Sequence, residues 1–439
     1  MSEWQRGTIG ELAKGYRGVT YSAGQLREFK AHDTVTLLRS NNISGGQLNF
    51  GDVQIVSERL VSDDQLLTPG DIAVCMSNGS KALVGKSAQL VAASDERFTV
   101  GAFCSVFRPQ QSASSRFVAY VFQSSSYRSN LDLALAGTAI NNLRNVDVEA
   151  FACGIPPYSE QSRIAQILDT LDSAIHETEA LIDKLKAVKQ GLLHDLLTRG
   201  IDANGQLRPP QSEAPQLYKE SPLGWIPREW EVDCGKNVCR EIVVGIVIKP
   251  TQYYRESGVA VLRSANVRET GLTLDNLVFM SPKDHRNLSK SAVGKGDVLT
   301  VRTGYPGTSC VVDDQIEEAN CVDIIISRPL PDLDPSYWST WINSDFGKKQ
   351  VLAVQGGLAQ QHFNVGDLMK LMVKMPPITE QEAISDRLRG VLSRIDLESK
   401  EQSKLFALKA ALMDDLLTGR VRVTPLLESA QQPAAQTGA

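Results

Sequence analysis

The stretch from Ile155 to Thr198 recurs 220 positions later, from Met375 to Thr418, and this gapless internal repeat constrains the fold of the 439-residue chain more than any other feature. Its head, Ile155-Pro156-Pro157-Tyr158-Ser159-Glu160-Gln161, matches Met375-Pro376-Pro377-Ile378-Thr379-Glu380-Gln381. Its tail, Asp195-Leu196-Leu197-Thr198, matches Asp415-Leu416-Leu417-Thr418. Upstream the match is looser but keeps its order. Leu38-Arg39-Ser40-Asn41-Asn42-Ile43 pairs with Leu262-Arg263-Ser264-Ala265-Asn266-Val267, and Pro69-Gly70-Asp71-Ile72 with Lys295-Gly296-Asp297-Val298. Gly137-Thr138-Ala139-Ile140-Asn141-Asn142 pairs with Gly356-Gly357-Leu358-Ala359-Gln360-Gln361, and Asn145-Val146 with Asn364-Val365. A chain of this length divides into two or more domains, and the repeat shows how.

Before each Pro-Pro, short apolar runs such as Thr34–Leu38, Ile72–Met76, Val259–Leu262 and Val298–Val301 are bounded by Gly, Asn, Asp and Pro, and read as strands. Shorter helices are expected around 115–126 and 335–345. Each half is therefore an α+β domain. After each Pro-Pro the period changes, with Ser159 and Thr379 expected as helix N-caps. Ile164, Leu168, Leu171, Ile175, Ile182, Leu185, Leu192 and Leu196 follow alternating spacings of four and three, skipping Thr178 and Lys189. The second copy gives Ile384, Leu388, Val391, Ile395, Leu405, Leu412 and Leu416, with Glu398, Gln402 and Lys409 at the polar seam positions. This is a coiled-coil seam, in which a few polar residues can fix register. Gly200 and Gly419 lie where the helices should stop. Each helix of about 38 residues would run roughly 57 Å at about 1.5 Å per residue. Antiparallel packing of the two would place the β-rich domains at opposite ends of a rod. The chain therefore reads as a domain over 1–155, a helix over 156–200, a linker over 201–229, a second domain over 230–375, a second helix over 376–420, and a flexible tail over 421–439.

Composition excludes several classes. There is no run of about 18 apolar residues to span a membrane, and Met1-Ser2-Glu3-Trp4-Gln5-Arg6 lacks the pattern of a secretory signal. A cytoplasmic protein is expected. The seven cysteines form no Cys-x-x-Cys pair, and the five histidines (His32, His176, His194, His285, His362) form no metal or nucleophile motif, so no metal site is expected. Gly79-Ser-Lys-Ala-Leu-Val-Gly85-Lys86-Ser87 resembles a phosphate-binding loop but has five residues between its glycines where the motif has four. Ile155-Pro156-Pro157-Tyr158 lacks the polar first residue of a methyltransferase loop, so a proline at a helix start explains it better. No catalytic residues are assigned.

What remains is polar, loop-borne and duplicated. The candidates in the first half are Arg39, Ser40, Asn41 and Asn42; Ser77, Asn78 and Lys81; and Asn141, Asn142 and Arg144. In the second half they are Arg263, Ser264 and Asn266; Arg302, Thr303 and Tyr305; and Gln360, Gln361 and His362. Arg pairs bidentately with guanine and Asn or Gln with adenine, while Ser, Thr and Lys hold phosphates. Any one of these could simply build a polar turn. Three such loops at matched places in both halves point to double-stranded DNA. The net charge of −5 does not advertise nucleic-acid binding, so a local basic surface or a basic partner must supply phosphate contacts.

With Pro-Pro-x-x-Glu-Gln at Pro156–Gln161 and Pro376–Gln381, each heading a long helix ending Leu-Leu-Thr, the chain resembles the specificity subunit of Type I restriction-modification systems over nearly its whole length. The Gly-Thr-Ala-Ile-Asn-Asn-Leu segment from Gly137 and the Ser221–Trp230 stretch add to the likeness. The resemblance implies two target recognition domains joined by a pair of long antiparallel coiled-coil helices, with pseudo-two-fold internal repeat. It implies a non-catalytic subunit that reads a bipartite, asymmetric DNA target and docks two methyltransferase subunits and, in some systems, two restriction subunits. No cofactor is expected on this chain; the partners would use S-adenosylmethionine, and ATP with Mg where restriction subunits are present. The rival reading is a coiled-coil scaffold for proteins that does not itself read DNA.

Overall fold

The repeated segment forms one long helix in each copy, Tyr158–Thr198 and Ile378–Leu417. The computed structural model describes residues 4–136, 141–354 and 362–426. Both helices begin directly after Pro-Pro. The amide of Gln161 donates to the Pro157 carbonyl and that of Gln381 to the Pro377 carbonyl, each at 3.0 Å. Ser159 and Thr379, expected as N-caps, therefore lie inside the first turn, because the fixed φ of proline has already set the helical direction. The stops fall as expected, with Gly200 and Gly419 in the left-handed region at φ +66° and +73°. Gly200 has a second reason to be glycine: a Cβ there would lie 2.2 Å from Glu380 Oε1.

The chain divides into two units, Met1–Glu177 with Gln402–Ala439, and Thr178–Glu401, so each long helix contributes to both. In the first unit Ile164 and Leu168 share a core with Met413, Leu416 and Leu417. In the second, Leu193, Leu196 and Leu197 share one with Ile384 and Leu388. Head meets tail in each unit, so the helices pack antiparallel. Leu193, Leu197, Met413 and Leu417 lie off the seam and are buried too, widening the tail of each helix from a narrow stripe to a full face.

The two units repeat one strand order. In the first, Gln54–Ser57, Thr34–Leu38, Phe98–Val100 and Leu66–Leu67 form one sheet, with the central pair parallel. Ala13–Arg17, Cys104–Pro109, Ile72–Cys75 and Ser87–Gln89 form the other. In the second unit the corresponding sheets are Val278–Met280, Val259–Leu262, Ala319–Cys321 and Ala292–Val293, again with a parallel central pair, and Cys239–Val244, Ile324–Pro329, Val298–Val301 and Ser309–Val311. An antiparallel pair closes each domain beside its long helix, Gln5–Thr8 with Ala152–Ile155 and Glu231–Cys234 with Met372–Met375. Each expected short helix is two: Ser115–Val121 then Ser125–Leu135, and Pro335–Asn343 then Asp345–Val354. In the first pair the break is a fresh cap, the Ser124 side chain accepting from the Tyr127 amide. The proline-rich stretch read as a linker holds a hairpin, Tyr218–Ser221 with Gly224–Pro227, that buries Tyr218 and Ile226. Of the expected flexible tail, residues 427–439 lie outside the described residues.

The Glu-Gln of the motif explains itself in packing. Glu160 accepts from Trp4 Nε1 at 3.3 Å and from Arg422 Nη2 at 2.6 Å. Glu380 accepts from Trp230 Nε1 at 3.1 Å, Arg208 Nη1 at 2.6 Å and the Ile201 amide at 2.7 Å. Each carboxylate thus ties its own domain's leading tryptophan to the segment that follows the other long helix. The Arg422 guanidinium, acting against burial and helped by Trp4, holds the Glu160 carboxyl below the usual carboxylate range. Gln161 and Gln381 accept from the amides of Ser114 and Asp334, the N-caps of the short helices, at 2.8 and 2.9 Å. Among the described residues, buried Lys374 has no acid partner. Lys374 is 1% exposed; its Nζ donates to the Leu197 carbonyl at 3.3 Å and lies 4.9 Å from the Phe346 ring centre.

Glu380→Ala should destabilise the second unit by about 3 kcal/mol, because it leaves the largely buried Arg208 with only the exposed Glu229 at 3.8 Å as a counter-charge, seen as a lower urea midpoint; Glu380→Gln should cost less. Burial pushes the Lys374 ammonium down to about 8. Between pH 8 and the ordinary lysine value the folded chain therefore binds fewer protons than the unfolded one, and stability rises with pH. Lys374→Met should abolish that rise in urea titrations across this window.

Candidate nucleic-acid interface

Loops that leave the sheets at matched places carry the candidate readers. In the first unit all three meet. The Leu143 amide donates to the Met76 carbonyl at 2.8 Å, Asn141 Nδ2 to the Gly79 carbonyl at 3.2 Å, and Asn78 Nδ2 to Ser40 Oγ at 3.4 Å. Ser77 and Asn142 face each other across an isolated bridge. Lys81 is exposed on the 3-10 turn Lys81–Leu83. Arg144 is exposed and pairs with Asp147 at 2.6 Å. Arg39 Nη2 and Asn41 Nδ2 both donate to the exposed Asp52 carboxylate at 2.9 Å. Solvated pairs of this kind are worth at most about 1 kcal/mol, so a phosphate could replace the carboxylate at little cost.

The second unit builds the same place with different groups. The Phe363 amide donates to the Arg302 carbonyl at 3.1 Å, as Leu143 does to Met76. Arg302 Nη1 and Thr303 Oγ1 both reach Asp323, at 2.8 and 2.9 Å, and Arg302 Nη2 reaches Asn364 Oδ1 at 3.2 Å. Arg263 Nη2 donates to the Asn276 carbonyl at 2.5 Å, and Ser264 opens the 3-10 turn that follows. Tyr305 is 83% exposed and His362 is exposed. Gln360 and Gln361 lie outside the described residues, as does Gly137–Ile140.

Two readings of the sequence change. Asn42 and Asn266 are buried, and both ends of each amide are in use. Asn42 Oδ1 accepts from the Arg39 amide while its Nδ2 donates to the Asn49 and Asp52 carbonyls. Asn266 repeats this with Arg263, Thr273 and Asp275. As placed, these two shape the loop and offer no donor to a base. The pairing of Asn145-Val146 with Asn364-Val365 also slips by one. Arg144 and Asn364 are the equivalent helix caps, with their amides held by Asp147 and Asp367, so the shift of 220 runs back to Leu143 and Phe363.

One turn at this place had no signal in the sequence. In the first unit Gly101–Phe103 closes under the loops: the Gly101 amide donates to Leu38, and the Phe103 carbonyl accepts from the Met76 and Ser77 amides. Phe103 is 70% exposed among these polar groups. In the second unit the turn is one residue shorter, Val322-Asp323, with Asp323 at φ +53°. Phe103 reads as core because it sits between two strand-like runs. Among the described residues no cluster of His, Cys, Asp or Glu could hold a metal, and no helix is long and apolar enough to cross a membrane.

Each unit thus carries a domain of the same topology beside a pair of antiparallel helix segments, with polar loops gathered at one place. Residues 1–187 match the Type I restriction modification DNA specificity domain. The chain is 27% identical to the Type I restriction enzyme EcoKI specificity subunit of Escherichia coli K12, and 25% identical to the StySPI specificity subunit of Salmonella potsdam. Each match covers 95% of this chain and 88% of the relative. The fold is that of the solved Type I restriction-modification S subunit from M. genitalium, with TM-score 0.58, 16% identity, and 94% and 96% of the two chains covered. It is also similar, at TM-score 0.53 and 16% identity over 96% and 99%, to a chain in a structure describing assembly of a type I R-M system. The chain is thus similar over nearly its whole length to Type I restriction-modification specificity subunits.

Asn266→Ala should lower stability by about 1–3 kcal/mol, because it leaves buried backbone groups unpaired, whereas Arg144→Ala and Tyr305→Ala should stay within about 0.5 kcal/mol; thermal melts of the three variants compare them directly.

Proposed function

We propose that this chain reads a bipartite, asymmetric DNA target for a Type I restriction-modification complex, one half-site per domain, and leaves catalysis to its partners. The observation that carries this is the recurrence of one loop cluster on one strand order in both units, with different side chains at matched positions. Met76-Ser77-Asn78 faces Leu143 where Arg302-Thr303-Gly304 faces Phe363. A protein scaffold would need the duplicated helices but gives no reason for duplicated polar loops. The methyltransferase subunits, two by the pseudo-two-fold repeat, dock on the helices and use S-adenosylmethionine to methylate adenine. Restriction subunits, where the system has them, use ATP with Mg. This chain holds neither cofactor.

The continuous helices act as the ruler for the unread gap. Inserting four residues after Ala187 and four near Ile395, on the facing turn, adds about 6 Å of helix, nearly two steps of about 3.4 Å along DNA. Sequencing of methylated motifs in the host should show a longer gap between unchanged half-sites. An unchanged gap rejects the ruler, and loss of methylation on exchanging residues 230–375 for a relative's, with no new motif, counts against modular reading.

A further inference from the structure

The second unit's first loop is fastened to the long helix, and among the described residues the first unit's shows no such tie. Arg263–Asn266 runs into a hairpin, Val267–Arg268 with Gly271–Leu272, whose tip carries Glu269. Glu269 Oε2 accepts from Lys189 Nζ at 3.0 Å, and Glu269 Oε1 from Lys348 Nζ at 2.6 Å. Lys189 occupies one of the two places where the first helix skips an apolar seam residue, and Lys348 lies on Asp345–Val354. All three side chains are partly buried. Burial works against the Glu269 carboxylate, and the two ammoniums overcome it, holding the group below the usual carboxylate range. In the first unit the matching hairpin, Ile43–Ser44 with Gln47–Leu48, has Gly45 and Gly46 at its tip, both left-handed, and open space at Gly45. Lys409, 220 positions after Lys189, turns instead to Asp172, at 2.5 Å, and to the Tyr120 ring.

We propose that Glu269 is a positioning residue: bridged to Lys189 and Lys348, it fixes the Arg263–Asn266 loop against the long helix and makes readout by that loop stringent. This rests on reading that loop as part of the DNA interface. Glu269 lies three positions past Asn266, which itself holds the end of the turn to the Thr273 and Asp275 carbonyls. The clamp adds a second tie, from the hairpin tip to the long helix and to the Asp345–Val354 helix. A partly buried carboxylate between two ammoniums holds orientation more tightly than a single solvated pair.

The test uses the chain in its own host, with chromosomal variants and sequencing of methylated sites. Arg263→Ala marks which half-site the loop reads. Glu269→Gln should then raise methylation at sites carrying one wrong base in that half-site by about fivefold, the factor for roughly 1 kcal/mol of lost restraint. Near-cognate sites in the other half should be unaffected. Reversing all three charges together, Glu269→Lys with Lys189→Glu and Lys348→Glu, should restore discrimination. Should Glu269→Gln fail to accumulate, Lys348→Met, at a more exposed position, carries the same expectation. If Arg263→Ala relaxes its half-site and neither clamp variant does, the clamp is overturned and the interface stands. If Arg263→Ala changes neither half-site, the interface reading fails first. Equal relaxation in both half-sites would show a merely structural role and also overturn the proposal.

Discussion

Each unit depends on one buried carboxylate at the head of a long helix. Glu160 and Glu380 gather three stretches that are far apart in the chain: the helix start, a tryptophan from the start of the domain, and an arginine from beyond the other helix. A carboxylate taken out of water is costly unless its lone pairs are met. Here the indole and guanidinium meet them, and in the second unit the Ile201 amide adds a third donor. Gly200 is part of the same arrangement, since a side chain there would displace the carboxylate.

The helices serve two kinds of packing along their length. In the middle an apolar stripe interrupted by Lys189, Glu398 and Lys409 suffices, and the interruptions find partners: Lys189 with Glu269, Lys409 with Asp172, and Glu398 with Arg394. At the tails the stripe widens to include Leu193, Leu197, Met413 and Leu417, which pack into domain cores. A polar seam residue with a defined partner restricts which register can form.

The helices were legible in the sequence because a 3.5-residue period over four or five heptads leaves few alternatives, and the strands Thr34–Leu38, Val259–Leu262 and Val298–Val301 stood out by their apolar runs. The duplicated polar loops were legible as places but not as chemistry. Asn42 and Asn41 are neighbours of the same type, yet one closes the loop from inside and the other lies outside on Asp52. No local pattern distinguishes them. The one-residue slip between Asn145 and Asn364 arose from matching identities where the capping geometry, held by Asp147 and Asp367, matches different residues.

The sequence by itself determined the duplication, the α+β character of each half, the long helices with their glycine stops, and three of the loops that gather in each copy. These follow from period, proline, glycine and spacing, which act over a few residues. Only the tertiary structure decided that the motif glutamate binds Trp and Arg, that Gly101–Phe103 closes under the duplicated loops, and that Glu269 reaches two lysines. Those depend on side chains brought together from as much as 262 positions apart, a separation over which local chemistry carries no signal.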